Sequence, residues 1–102
     1  MSYKTRMRAK LKGDFTEVKV LIKHPMKTKG KDRDGKVTEA HYIEEVICTH
    51  NGQIVMSAEW GGGVSANPYL AFQFEGGKVG ESVKLTWKDN QGNSGEADTT
   101  IK

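Results

Sequence analysis

The sequence is poor in the features that staple, anchor or extend small proteins. A single cysteine, Cys48, excludes an internal disulfide framework and a structural zinc site built on cysteines. The longest unbroken apolar run is Tyr69 to Phe72, far too short for a membrane-crossing helix. Met1 to Lys12 mixes small and apolar residues with cations and lacks the apolar centre of a secretory leader. No window combines apolar spacings of three and four with capping residues, so essentially no helix is expected. Neither sign of charge dominates. Lys and Arg total 16 against 13 acids, a net charge of +3, well short of a polybasic tail. With 102 residues the chain is too short for a large multi-domain enzyme and suits one domain spanning 1–102.

What is present is a period of two. Met7, Ala9 and Leu11 alternate with Arg6, Arg8, Lys10 and Lys12, and after the Gly13-Asp14 turn Val18, Val20 and Ile22 alternate with Glu17, Lys19 and Lys23. A run from His41 to His50 meets a second, Gln53 to Trp60, at Asn51-Gly52, the pair that a type I′ hairpin turn favours. Leu70, Phe72 and Phe74 form the next apolar face, followed by Val83, Leu85 and Trp87, and then by Ala97, Thr99 and Ile101. Lys27 to Lys36 holds no apolar residue and reads as a solvated loop. About seven short strands with regular turns predict an all-β, immunoglobulin-like antiparallel β-sandwich. The expected core is Val18, Val20, Ile22, Ile54, Met56, Trp60, Phe72, Phe74, Leu85 and Trp87.

Few residues invite chemistry. Cys48 lies mid-strand, on the face of Tyr42, Val46 and His50, where a small thiol is expected to be buried and unreactive. The cations Arg6, Arg8, Lys10 and Lys12, and those of the loop (Lys27, Lys29, Lys31, Arg33, Lys36), lack the interleaved aromatics that single-stranded nucleic acid needs, so no nucleic-acid partner is expected. Asp32-Arg33-Asp34-Gly35 lacks the spacing and terminal Glu of a calcium loop. There is no nucleophile elbow and no phosphate-binding glycine loop, so no catalytic residue and no cofactor is assigned.

Two short segments, His24-Pro25-Met26 and Ala40-His41-Tyr42-Ile43-Glu44, resemble pieces of the superoxide reductases, immunoglobulin-like proteins that bind iron through four histidines and one cysteine. That resemblance implies an alternative function, an iron protein using His24, His41, His50 and Cys48. The chain departs from it: it has three histidines in all, and Cys48-Thr49-His50 is one residue shorter than the family's Cys-x-x-His.

As a whole the chain resembles the SoxZ family. The resemblance rests on Arg8-Ala9-Lys10-Leu11-Lys12-Gly13, Glu17 to Leu21, His24-Pro25-Met26, Ala40 to Ile43, Thr49-His50-Asn51-Gly52, Trp60-Gly61, Val64-Ser65, Asn67-Pro68-Tyr69-Leu70, Thr86-Trp87 and Asp89-Asn90-Gln91-Gly92, in order and at matching spacing. The departure is Gly62-Gly63, where less glycine is expected. The resemblance implies a non-catalytic subunit of the SoxYZ carrier in thiosulfate oxidation. Its partner would be a SoxY-like subunit whose glycine-rich arm carries the sulfur-bearing cysteine. It also implies a periplasmic place, reached by export together with that partner. A subunit without an active site acts through its surface, and the irregular stretch after Trp60 suits recognition. The expected contact residues are Met26, Trp60, Gly62, Val64, Asn67, Pro68 and Tyr69.

Overall fold

The computed structural model describes residues 4–27, 29–31, 34–61, 64 and 66–102. Asp32, Arg33, Gly62, Gly63 and Ser65 lie outside the described residues. Nine strands follow one another, with no helix among the described residues: β1 (Thr5–Lys12), β2 (Phe15–Ile22), β3 (Gly30–Lys31), β4 (Val37–Thr38), β5 (Ile43–His50), β6 (Gln53–Glu59), β7 (Tyr69–Glu75), β8 (Ser82–Asp89) and β9 (Ser94–Thr100). They form an antiparallel three-stranded sheet, β1-β2-β7, facing an antiparallel four-stranded sheet, β6-β5-β8-β9. This is the expected all-β, immunoglobulin-like sandwich. One departure is the stretch from Lys27 to Lys36. Instead of remaining a plain loop it contributes Gly30–Lys31 to a small ribbon with β4.

Alternation places the core. Val18, Val20 and Ile22 of β2 meet Val83, Leu85 and Trp87 of β8, all at or below 1% exposure, with Ile43, Val46 and Cys48 of β5 beside them. The sheets are tied at depth by the Trp87 indole N–H, which donates to Thr5 Oγ1 across 3.1 Å. On one side the sandwich is closed. Ile101 bridges Ala9 in parallel, with Leu11 N donating to Lys102 O (2.9 Å) and Lys102 N to Ala9 O (3.1 Å).

Most of the expected core is buried or half-buried, and Ile54 is the exception. It is 63% exposed. Asn51 and Gly52 do take the positive φ of the expected turn, at 50° and 81°. However, Thr49 pairs with Ile54 while Cys48 pairs with Met56, so Val55 is an extra residue in β6. That bulge shifts the two-residue period by one, turning Val55 and Met56 partly inward and Ile54 out.

Candidate functional site

Three connections meet at one end of the sandwich: the segment leaving β2, the segment leading into β5, and the turn between β8 and β9. They gather His24, His41 and Asp89, whose ligand-type atoms all lie within 4.8 Å of one another. Asp89 is the hub, with its side chain fully out of solvent. Its Oδ2 lies 3.1 Å from His24 Nε2 and 2.7 Å from His41 Nε2, and also accepts from Asn93 Nδ2 at 3.0 Å. Its Oδ1 accepts from the backbone N–H groups of Gln91 (3.0 Å) and Asn93 (2.8 Å), the pattern of an acid heading a turn.

The neighbouring Asn90 binds the same turn to the segment leading into β5. Its Oδ1 accepts from Tyr42 N and its Nδ2 donates to Ala40 O, each at 2.8 Å. At the corner after β2, Met26 takes a positive φ of 48°. This bend lets its N–H donate to His24 Nδ1 (3.1 Å) and its Sδ accept the Ile43 N–H (3.3 Å). Asn67, also at positive φ, grips the His24 backbone in both directions: Asn67 N donates to His24 O at 2.8 Å, and Asn67 Oδ1 accepts from His24 N at 3.1 Å.

The electrostatics follow from these bonds. Burial pushes the Asp89 carboxyl up, but donation from His24, from the Asn93 backbone and side chain and from His41 outweighs it and holds the carboxyl well below the usual range. Burial is also the leading influence on His24. It lowers the pKa against the opposing pull of Asp89, so the ring is neutral near pH 7.

The neutral His24 ring has one tautomer available to it. Its Nδ1 accepts from Met26, so the proton sits on Nε2 and is donated to Asp89. A metal on Nε2 would need that lone pair, and would leave an Nδ1 proton facing the Met26 N–H. Metal-binding imidazoles instead donate their far nitrogen to an acceptor. His24 as it is held therefore does not suit a metal on Nε2, and the cluster works as a hydrogen-bonded clamp between three connections.

The four residues of the iron alternative are not brought together. Asp89, beside His24, pairs with Ile43 at one end of β5, whereas His50 pairs with Val83 at the other end. Seven residues of strand separate those ends, about 23 Å. His50 is engaged there with Glu81 at 3.0 Å, in a cluster where Asn51 Nδ2 also donates to Glu81. Cys48 is completely buried, and burial pushes its thiol up to about 11.

The expected contact residues are spread across different environments. Met26 is 6% exposed and belongs to the core, because the left-handed corner turns its side chain inward. Pro68 is buried, Trp60 and Val64 are half-buried, and Asn67 is exposed with its side-chain oxygen engaged by His24. Tyr69 is 62% exposed, facing outward as its place in the alternation requires. Gly62 lies outside the described residues. Asp89 and Asn93 were not singled out from sequence. The available signal was an Asp opening an Asn- and Gly-rich turn, which marks the turn but not its distant histidines.

A family model described as sulphur oxidation protein SoxZ matches residues 5–100. No curated protein matches the chain. Among solved structures, a hypothetical protein from Pyrococcus horikoshii OT3 aligns with a TM-score of 0.64 and 17% identity, over 96% of this chain and 85% of that one. The superoxide reductase (neelaredoxin) from Ignicoccus hospitalis aligns with a TM-score of 0.59 and 17% identity, over 99% of this chain and 78% of its own. At that identity both likenesses speak for the sandwich and not for a chemistry.

Proposed function

Since the chain belongs to the SoxZ family of sulphur oxidation proteins, we propose that it is the non-catalytic partner of a SoxY-like carrier subunit in thiosulfate oxidation. The carrier's cysteine arm holds the sulfur intermediates, and this chain supports it. The observation that carries this division of labour is the state of Cys48. A carrier or catalytic thiol must reach its substrate as thiolate, whereas this one is fully buried and pushed up to about 11. His24 and Asp89 are likewise engaged inside the clamp, with their side chains out of solvent.

The complex works in the periplasm, this chain travelling there with its partner. Co-expression with a SoxY subunit tests the proposal. A stable complex is expected, one that supports thiosulfate-dependent turnover with either Cys48 or Ala at position 48. Loss of turnover in a folded Cys48→Ala complex would overturn it, and cell fractionation checks the compartment.

A further inference from the structure

Three strands face four, and the mismatch falls on one side of the sandwich. The parallel bridge between Ala9 and Ile101 closes the β1–β9 side, so β7 and β6 end their sheets together on the opposite side. Among the described residues, no strand lies beside β7 and over β6. The apolar residues around that position are incompletely covered: Val55 and Met56 of β6, Leu70 and Phe72 of β7, and Trp60 and Val64 of the connection are all half-buried against the core.

Exposed strand edges usually carry lysine, proline or a bulge that discourages further pairing. The edge of β6 has its bulge at Val55. The edge of β7 has none of these devices: Tyr69–Glu75 contains no Lys, Arg or Pro, and its pairing with β2 is regular from Phe15↔Glu75 to Leu21↔Tyr69.

The ladder also shows which amides point outward. Gly76 N donates to Asp14 O at one end of the β2–β7 ladder, and Ile22 N to Pro68 O at the other. Hydrogen-bonded pairs alternate between those two, so Leu70, Phe72 and Phe74 point their backbone groups at β2. Tyr69, Ala71, Gln73 and Glu75 aim theirs at the open edge.

We propose that this edge of β7 accepts an extended strand of the SoxY-like partner, which fills the fourth position of the three-stranded sheet and covers Val55, Met56, Leu70 and Phe72. The proposal rests on the partner-subunit reading above. Charge argues for a different chain over a second copy. All 16 cations lie outside residues 51–77, while Glu59 and Glu75 lie within them. The two edge strands thus carry acids and no cation, and Lys19, opposite Ala71 on β2, is held by Glu17 at 3.5 Å, so a neutral or basic apolar strand complements the edge better than a second copy of it does.

Calorimetric titration and amide hydrogen exchange on the co-expressed complex test this. Gln73 pairs with Glu17 without ladder bonds, so Gln73→Pro removes one outward donor and no bond to β2. It is expected to weaken the SoxY complex about tenfold or more, whereas Lys84→Ala on the outer face of β8 leaves affinity unchanged. Should the proline variant not fold, Gln73→Lys places a cation at the edge and is expected to weaken the complex in the same direction. On complex formation, the amides of Ala71 and Gln73 should become slow to exchange, and that of Phe72 should already be slow in the free chain. A complex of undiminished affinity in folded edge variants, with Ala71 and Gln73 still exchanging freely, overturns the β7 edge while leaving the partnership intact. No complex with the native chain overturns the partnership itself and the named occupant with it. A dimer of the chain alone that Gln73→Pro dissolves would assign the edge to a second copy, against the proposal.

Discussion

His24 donates its Nε2 proton to Asp89 Oδ2 across 3.1 Å, joining two corners of the chain 65 residues apart. The bond lies in a site closed to water, where an unmet donor costs far more than a met one contributes.

Asp89→Ala should therefore be among the most damaging single changes, about 3 kcal/mol, because it strands the buried His24 donor together with the half-buried amide of Asn93. Urea unfolding measures it. A loss near zero would mean that the three connections hold without their hub.

Acid should loosen the fold in a defined window. His24 has a lowered pKa when folded, so the unfolded chain binds that proton more tightly. The stability it contributes is complete above its ordinary value of 6.5 and is lost as pH falls below it. Asp89 acts in the same direction, but only at lower pH, below the ordinary carboxylate range. Unfolding free energy is expected to fall between pH 7 and pH 5, and His24→Asn should flatten that slope. An unchanged slope in the variant would assign the acid sensitivity to other groups.

Cys48 should resist thiol reagents while the protein is folded, and react once it unfolds, since the thiol is buried and protonated. Cys48→Ala should cost about 1 kcal/mol, the loss of a small packed group. Rapid labelling of the native chain would contradict both its burial and its assigned idleness.

Gly95 pairs with Trp87 across β8 and β9, and a Cβ there would stand 2.6 Å from the indole ring. Gly95→Ala should destabilise by about 2 kcal/mol through overpacking and shift the Trp87 fluorescence. Native stability in this variant would show that the indole can move aside.

The sandwich was legible because its information is local. Val18, Val20 and Ile22 announce one face by alternation, and Asn51-Gly52 announces a turn through the positive φ that both residues adopt. Ile54 was misplaced because a one-residue bulge at Val55 leaves no mark in composition, yet puts Ile54 on the opposite face from Met56 and Ala58. Met26 was expected at the surface for a related reason: a left-handed corner turned it into the core. The histidine clamp was only half visible. His24 and His41 drew notice as residue types, but Asp89 is linked to them by folding alone.

The parallel bridge from Ala9 to Ile101 also decides how the domain bears a pulling force. β1 begins at the end of the sandwich where the clamp lies, and the last residues run alongside it toward the opposite end. Tension applied between residues 4 and 102 thus acts along the paired strands. It loads the bonds of Leu11 and Lys102 in shear, together rather than one after another. A domain grasped in this way should yield abruptly at high force, and the same domain pulled across its open β7 side should peel apart strand by strand.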